Sequence, residues 1–67
     1  MSEVRFLNTA DAAGRIGLST STLEKMRWRG DGPRYHVLGR RRVVYDPATL
    51  DAWARSREYR WTGEYVG

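Results

Sequence analysis

"GLSTSTLEKMRWRGDGP", residues 17–33, reads as one helix with both of its ends marked. Ser19 is a residue whose hydroxyl accepts from the open N–H groups of a helix start, and Gly30 suits the left-handed turn that ends one. At about 100° per residue, Leu23 and Met26 of the intervening "TSTLEKMRWR" point to one side. The opposite side collects Ser21, Glu24, Lys25 and Trp28, with Thr20 at the exposed N-terminal end and Arg29 beside the polar face. Such a face is either simply solvated or made to touch something. Trp28 leaves two readings, because a large aromatic on a small domain packs either beneath the next segment or on a ligand.

Upstream, "FLNTADAAGRIG" (residues 6–17) predicts a first, shorter helix. Asn8 is its N-cap, with Asp11 three residues on in a variant of the capping box. Ala12, Ala13 and Ile16 supply a small apolar face, and Gly17 stops the helix. Gly14 inside it costs about 1 kcal/mol relative to Ala, so packing must hold this helix. Only Gly17 and Leu18 precede the next cap. Helix, glycine turn and helix make the layout of a helix-turn-helix unit.

Downstream, "RYHVL" and "RRVVY" are rich in β-branched and aromatic residues, and Gly39-Arg40 between them fits a two-residue hairpin turn with glycine first. The tip is cationic in any register. A hairpin after a second helix is the wing of a winged helix-turn-helix domain, and arginines there reach phosphates or an adjacent minor groove. In "YDPATLDAWARSR", Asp46 caps a third helix, Pro47 takes its first position and Tyr45 staples onto Leu50. Leu50, Trp53 and Ala54 form its inner face, with Trp53 as a core anchor. The spacing 50, 53, 57, 61 extends this helix to about Thr62, before Gly63. The aromatic residues Tyr59, Trp61 and Tyr65 either fold back on the core or bind a neighbour.

Charge sharpens the reading. The 67 residues carry a net +4. Residues 25–42 hold Lys25, Arg27, Arg29, Arg34, Arg40, Arg41 and Arg42 against Asp31 alone, a net +6, while the flanking stretches 1–24 and 43–67 are each net −1. A focused patch of this kind attracts and steers polyanions. Arg27 either joins the patch or pairs with Asp31.

Other classes find little support. A chain this short builds one small core and leaves little room for an enzyme pocket. There is no cysteine for a disulfide framework or thiolate site, and the single His36 has no carboxylate or cysteine near it in sequence. No catalytic residue, metal ligand or cofactor is expected. "GDGP" is a turn, since Pro33 removes an amide and no Gly-Lys-Ser/Thr follows. No apolar run approaches the roughly 18 residues of a membrane span, and "MSEVRFLNTADAA" lacks the features of a secretory signal. The expected location is the cytoplasm, at the nucleoid.

"LSTSTL", "GDGPRY", "LGRR" and "YDPATLDAW", in this order and spacing, resemble the excisionase and AlpA-like group of small winged helix-turn-helix proteins, distant cousins of the MerR DNA-binding domain. The resemblance covers residues 6 to about 57. It implies a mainly α fold with a small β-hairpin, a recognition helix at 18–29 and a wing at 34–45. The chain is then divided into a flexible N-terminus (1–5), the DNA-binding domain (6–57) and an aromatic tail (58–67).

Two features depart from that group. The spacing from Leu38 to Leu50 is one residue longer, which predicts a bulged wing tip, and Arg15 stands where an aliphatic residue is usual.

By the resemblance, Thr20, Ser21, Glu24, Lys25 and Trp28 form the groove surface, and Arg29, Arg34, Arg40, Arg41 and Arg42 serve phosphates or the minor groove. The implied function is sequence-specific binding of double-stranded DNA, as an excisionase (recombination directionality factor) or an AlpA-type transcription regulator of a prophage or other mobile element. Self-association or cooperative binding on DNA, and an integrase or the transcription machinery, are the implied partners. The alternative is a protein-interaction module that binds a partner protein through the aromatic tail.

Overall fold

The computed structural model describes residues 5–65, so most of the expected flexible N-terminus lies outside the described residues. The chain forms α1 (Thr9–Arg15), α2 (Thr20–Arg29), β1 (His36–Leu38), β2 (Arg42–Val44), α3 (Pro47–Arg55) and a 3-10 turn (Thr62–Glu64). This is a small winged helix-turn-helix fold: three helices and one antiparallel hairpin.

The helix starts follow the local chemistry. Asn8 accepts from the Asp11 N–H at 2.7 Å, the Ser19 hydroxyl accepts from the Thr22 N–H at 3.2 Å, and Asp46 accepts from the Ala48 N–H at 3.0 Å. Each satisfies one donor that the helix itself leaves open. Gly17 and Gly30 adopt the left-handed conformation, with φ of 79° and 80°, and so reverse the chain after α1 and α2. Gly32 is required for a different reason. A Cβ there would lie 2.9 Å from Met26 Cβ, so the loop closes tightly on the end of α2.

Ala12 and Ala13 of α1, Leu23 of α2, Tyr45 and Leu50 make the buried cluster, with Leu7, Ile16, Leu18 and Val43 packed around it. Leu23, Tyr45 and Leu50 are fully buried. Burial of a side chain of this size contributes about 1.5–3 kcal/mol, which holds α1 despite its internal glycine. The small alanine side chains let α2 approach α1 closely.

The hairpin departs from the two-residue turn expected at Gly39-Arg40. His36 pairs with Val44, Val37 with Val43 and Leu38 with Arg42, so three residues, Gly39, Arg40 and Arg41, make the connection. In this register Val37 and Val43 share one face of the hairpin, and the Tyr35 ring comes within 6.2 Å of Tyr45. A two-residue turn would have put Val43 opposite His36. Gly39, at φ 59°, starts the turn in a conformation that other residues resist.

An element with no sequence signal joins the hairpin. Leu7 and Tyr45 form an antiparallel bridge, exchanging N–H to carbonyl hydrogen bonds of 2.8 Å each. Phe6 then sets its ring edge-on to His36, 5.3 Å between centroids.

The third helix is shorter than the expected extension to Thr62. It ends at Arg55, where the Ser56 hydroxyl donates to the Trp53 carbonyl at 2.6 Å, and the Ser56 and Arg57 N–H groups take carbonyls three residues back. Trp61 is 64% exposed, so no buried contact rewards a longer helix. Trp53 also corrects the reading of it as a core anchor. It is half-buried at the edge, beneath the Arg57 guanidinium, and lies outside the buried cluster.

Candidate nucleic-acid interface

Helix α2 is held by its inner side and presents the rest. Leu23 is buried and Met26 half-buried, whereas Thr20, Ser21, Lys25, Trp28 and Arg29 are exposed and Glu24 is half-buried. Trp28, at 82% exposure, does not pack beneath the hairpin. Of its two readings, packing beneath the next segment is thereby excluded.

The hydroxyls at the start of α2 form a set that the sequence showed only in part. Ser19 Oγ donates to Thr22 Oγ1 at 2.8 Å and lies 3.4 Å from Ser21 Oγ. Thr22 is exposed beside them. Its place three residues after the cap is the signal that could have identified it.

The seven cations of residues 25–42 separate into three groups. Arg27 turns inward instead of pairing with Asp31: its Nη1 donates to Thr9 Oγ1 and to the Tyr45 hydroxyl, both at 3.4 Å, and its guanidinium lies 5.9 Å from the Tyr35 ring centroid. Arg29 takes Asp31, at 3.3 Å between exposed side chains. Lys25, Arg34, Arg40, Arg41 and Arg42 are exposed and have no ion-pair partner among the described residues.

The last group is divided in space by the fold. Arg40 and Arg41 lie in the hairpin turn and Arg42 opens β2. Arg34 does not join them. It lines a groove of about 420 Å³ between the loop after α2 and one side of α3, together with Gly30, Gly32, Ala52, Trp53 and Arg57.

A different arginine belongs wholly to the framework. Arg15 makes a two-pronged contact with Asp51, Nε to Oδ1 at 2.8 Å and Nη2 to Oδ2 at 2.9 Å, which joins α1 to α3. The hydrogen bond from Arg15 holds the Asp51 carboxyl below its usual range, and Asp51 in turn raises Arg15. The sequence departure at position 15 therefore has a partner 36 residues away.

The tail makes a local structure. Tyr59 and Tyr65 approach to 5.0 Å between ring centroids, and Glu64 accepts from Arg60 at 3.3 and 3.4 Å. Among the described residues no group of three His, Cys, Asp or Glu side chains is placed to hold a metal ion, and no helix is long and apolar enough to cross a membrane.

The arrangement, a helix with an exposed polar and basic face followed by a cationic hairpin, suits a duplex, whose major groove admits an α-helix. A search of individual curated proteins finds no match. A family model described as a helix-turn-helix domain matches residues 6–58, the greater part of the chain. The chain belongs to this family of small helix-turn-helix DNA-binding domains, of the excisionase and AlpA type.

Proposed function

We propose that the protein binds double-stranded DNA in a sequence-specific way, and acts as an excisionase or an AlpA-type transcription regulator of a mobile element. The observation that carries this reading is the set of five exposed cations without acidic partners among the described residues: Lys25 on the exposed side of α2, Arg34 in the loop after it, and Arg40, Arg41 and Arg42 at the hairpin. Thr20, Ser21, Glu24, Lys25 and Trp28 enter the major groove. There Glu24 accepts from a cytosine amino group and Lys25 donates to guanine or phosphate. Arg29, Arg34 and the wing arginines take phosphates or the adjacent minor groove.

Residues 6–57 are the binding unit on this reading, and the protein works in the cytoplasm, at the nucleoid. One helix and one wing cover about 600–1,000 Å² of protein surface, the range of single modules, so useful specificity comes from several copies on adjacent repeats. An integrase, or the transcription machinery, is the protein partner. The exposed Trp61 beside the paired Tyr59 and Tyr65 favours a second reading, in which the tail of residues 58–67 binds a partner protein and DNA binding has been lost.

The test is selection of fragments of the source genome by the purified protein at near-physiological salt. Enrichment of clustered repeats is the expected result, with an attachment site marking the recombination role and a promoter alone marking regulation. If no fragment is enriched over input, sequence-specific binding by this chain alone is wrong and the tail becomes the site to pursue.

A further inference from the structure

Trp28 is the most exposed large apolar side chain among the described residues, and the other exposed ones lie off α2. A single apolar residue at a surface is ordinary. Its place is what distinguishes this one. At about 100° per residue Trp28 falls in line with Ser21 and Lys25, both exposed, on the strip of α2 that faces away from buried Leu23. Among the described residues no aromatic ring and no guanidinium packs on it. The turn that carries it is held firmly. The Gly30 N–H donates to the Met26 and Arg27 carbonyls at 2.9 and 3.3 Å, and the loop closes on Met26 Cβ at Gly32. The ring thus projects from a fixed point of the helix, into the space where the other strip residues point.

We infer that Trp28 reads the C5 methyl group of thymine in the major groove, a contact that rests on the DNA-binding reading above. The base edges in that groove are donors and acceptors, apart from this methyl, which is the one apolar feature they present. The hydroxyl of Ser21 and the ammonium of Lys25 have polar counterparts on those edges. An indole face, with a single N–H on its rim, has the methyl. Laid against an amino group or a carbonyl, the ring would take water from a polar group without replacing its hydrogen bond, which is costly. Laid against a methyl, it removes apolar surface from water on both sides of the contact. The same side chain therefore favours thymine and disfavours the other bases at its position.

The test takes the tightest-bound duplex from the genomic selection and replaces its thymines by deoxyuridine, which lacks the methyl and keeps the pairing edge. The full chain and Trp28→Ala, each shown to fold by thermal unfolding, are titrated on both duplexes. Deoxyuridine is expected to weaken the full chain about fourfold more than it weakens Trp28→Ala, the worth of one buried methyl group. Methyl groups met by other side chains, and any change in duplex stiffness, act on both proteins and cancel in this comparison. Single replacements are expected to place the difference at one thymine in each repeat. There 5-bromodeoxyuridine, whose bromine fills the volume of the methyl, should restore binding. Trp28→Phe keeps an apolar ring without the N–H and should retain the discrimination.

If deoxyuridine weakens the full chain and Trp28→Ala by the same factor, the inference is wrong while DNA binding stands. It is also wrong if Trp28→Phe loses the discrimination as completely as Trp28→Ala, because the contact would then belong to the indole N–H. If the full chain selects no duplex, the inference and the sequence-specific reading fall together.

Discussion

Arg15 and the wing arginines are the same residue type put to opposite uses. Arg15 is committed to Asp51 by two hydrogen bonds and joins two helices. Arg40, Arg41 and Arg42 stand at the hairpin end, exposed and without an ion-pair partner among the described residues. Arg27 shows that position in the basic stretch does not decide the use. It lies between Lys25 and Arg29 in sequence, yet its guanidinium reaches the Tyr45 hydroxyl at the core. A small domain can therefore separate the cations that hold it together from those it presents. Proximity in sequence is a poor guide to which is which.

Replacing Arg40, Arg41 and Arg42 together by Ala tests the presented set and should have the largest effect. On the proposed function the unaltered chain contacts about four to six phosphates, giving a slope of log affinity against log salt near −4 to −5. The triple variant should bind about 10²-fold more weakly near physiological salt, with a slope shallower by about 2 to 3 and little change in thermal stability. A duplex titration across salt checks it. An unchanged slope would remove the wing from the interface.

Arg27→Gln should show the opposite pattern. Loss of its contacts to Thr9, Tyr45 and Tyr35 is expected to cost about 1 kcal/mol and to lower the unfolding temperature by several degrees. The salt slope should stay as it was. A fall of about one in the slope would put Arg27 with the presented cations.

Asp51→Asn should have the smallest effect, and its signature is a pH dependence. The carboxyl is held below its usual range in the folded chain, so the contribution of the Arg15 pair is present above the usual aspartate pKa of about 3.9 and is lost as pH falls through the lowered value. Unfolding temperatures of the two chains should thus differ most near neutral pH and converge in acid. Both side chains are partly exposed, so the difference should also shrink with added salt. A gap that widens on acidification would contradict the assignment.

The fold was legible wherever the signal was local. Ser19, Gly30, Asp46 and Pro47 act within a turn of their own position, and α2 and the start of α3 lie where those residues put them. Contacts between distant segments left no trace. The Leu7 to Tyr45 bridge consists of backbone groups, which carry no residue signature, and the Arg15 to Asp51 pair spans 36 residues. The hairpin register, His36 with Val44, is a pairing between strands that the run Arg40-Arg41-Arg42 does not mark. Apolar spacing misled at the C-terminus, because 50, 53, 57, 61 continues a helical stripe for which the fold offers no surface.

The candidate site was legible in composition more than in arrangement. The exposed face of α2 follows from helical periodicity, and the wing charge is independent of register. The grouping of Arg34 with α3 and Arg57, away from the wing tip, depends on how the loop after α2 folds back. That in turn depends on Gly32 fitting against Met26.

The bridge between Leu7 and Tyr45 works like the locked joint of a caliper. It fastens the chain just before α1 to the chain just after β2, so α2 and the hairpin are both carried by one closed loop. The gap between the two jaws is then a property of the protein, set before any duplex arrives. On the proposed function, a duplex whose grooves do not match that gap is the partner that yields, and the ease with which a given sequence yields becomes part of what the protein measures.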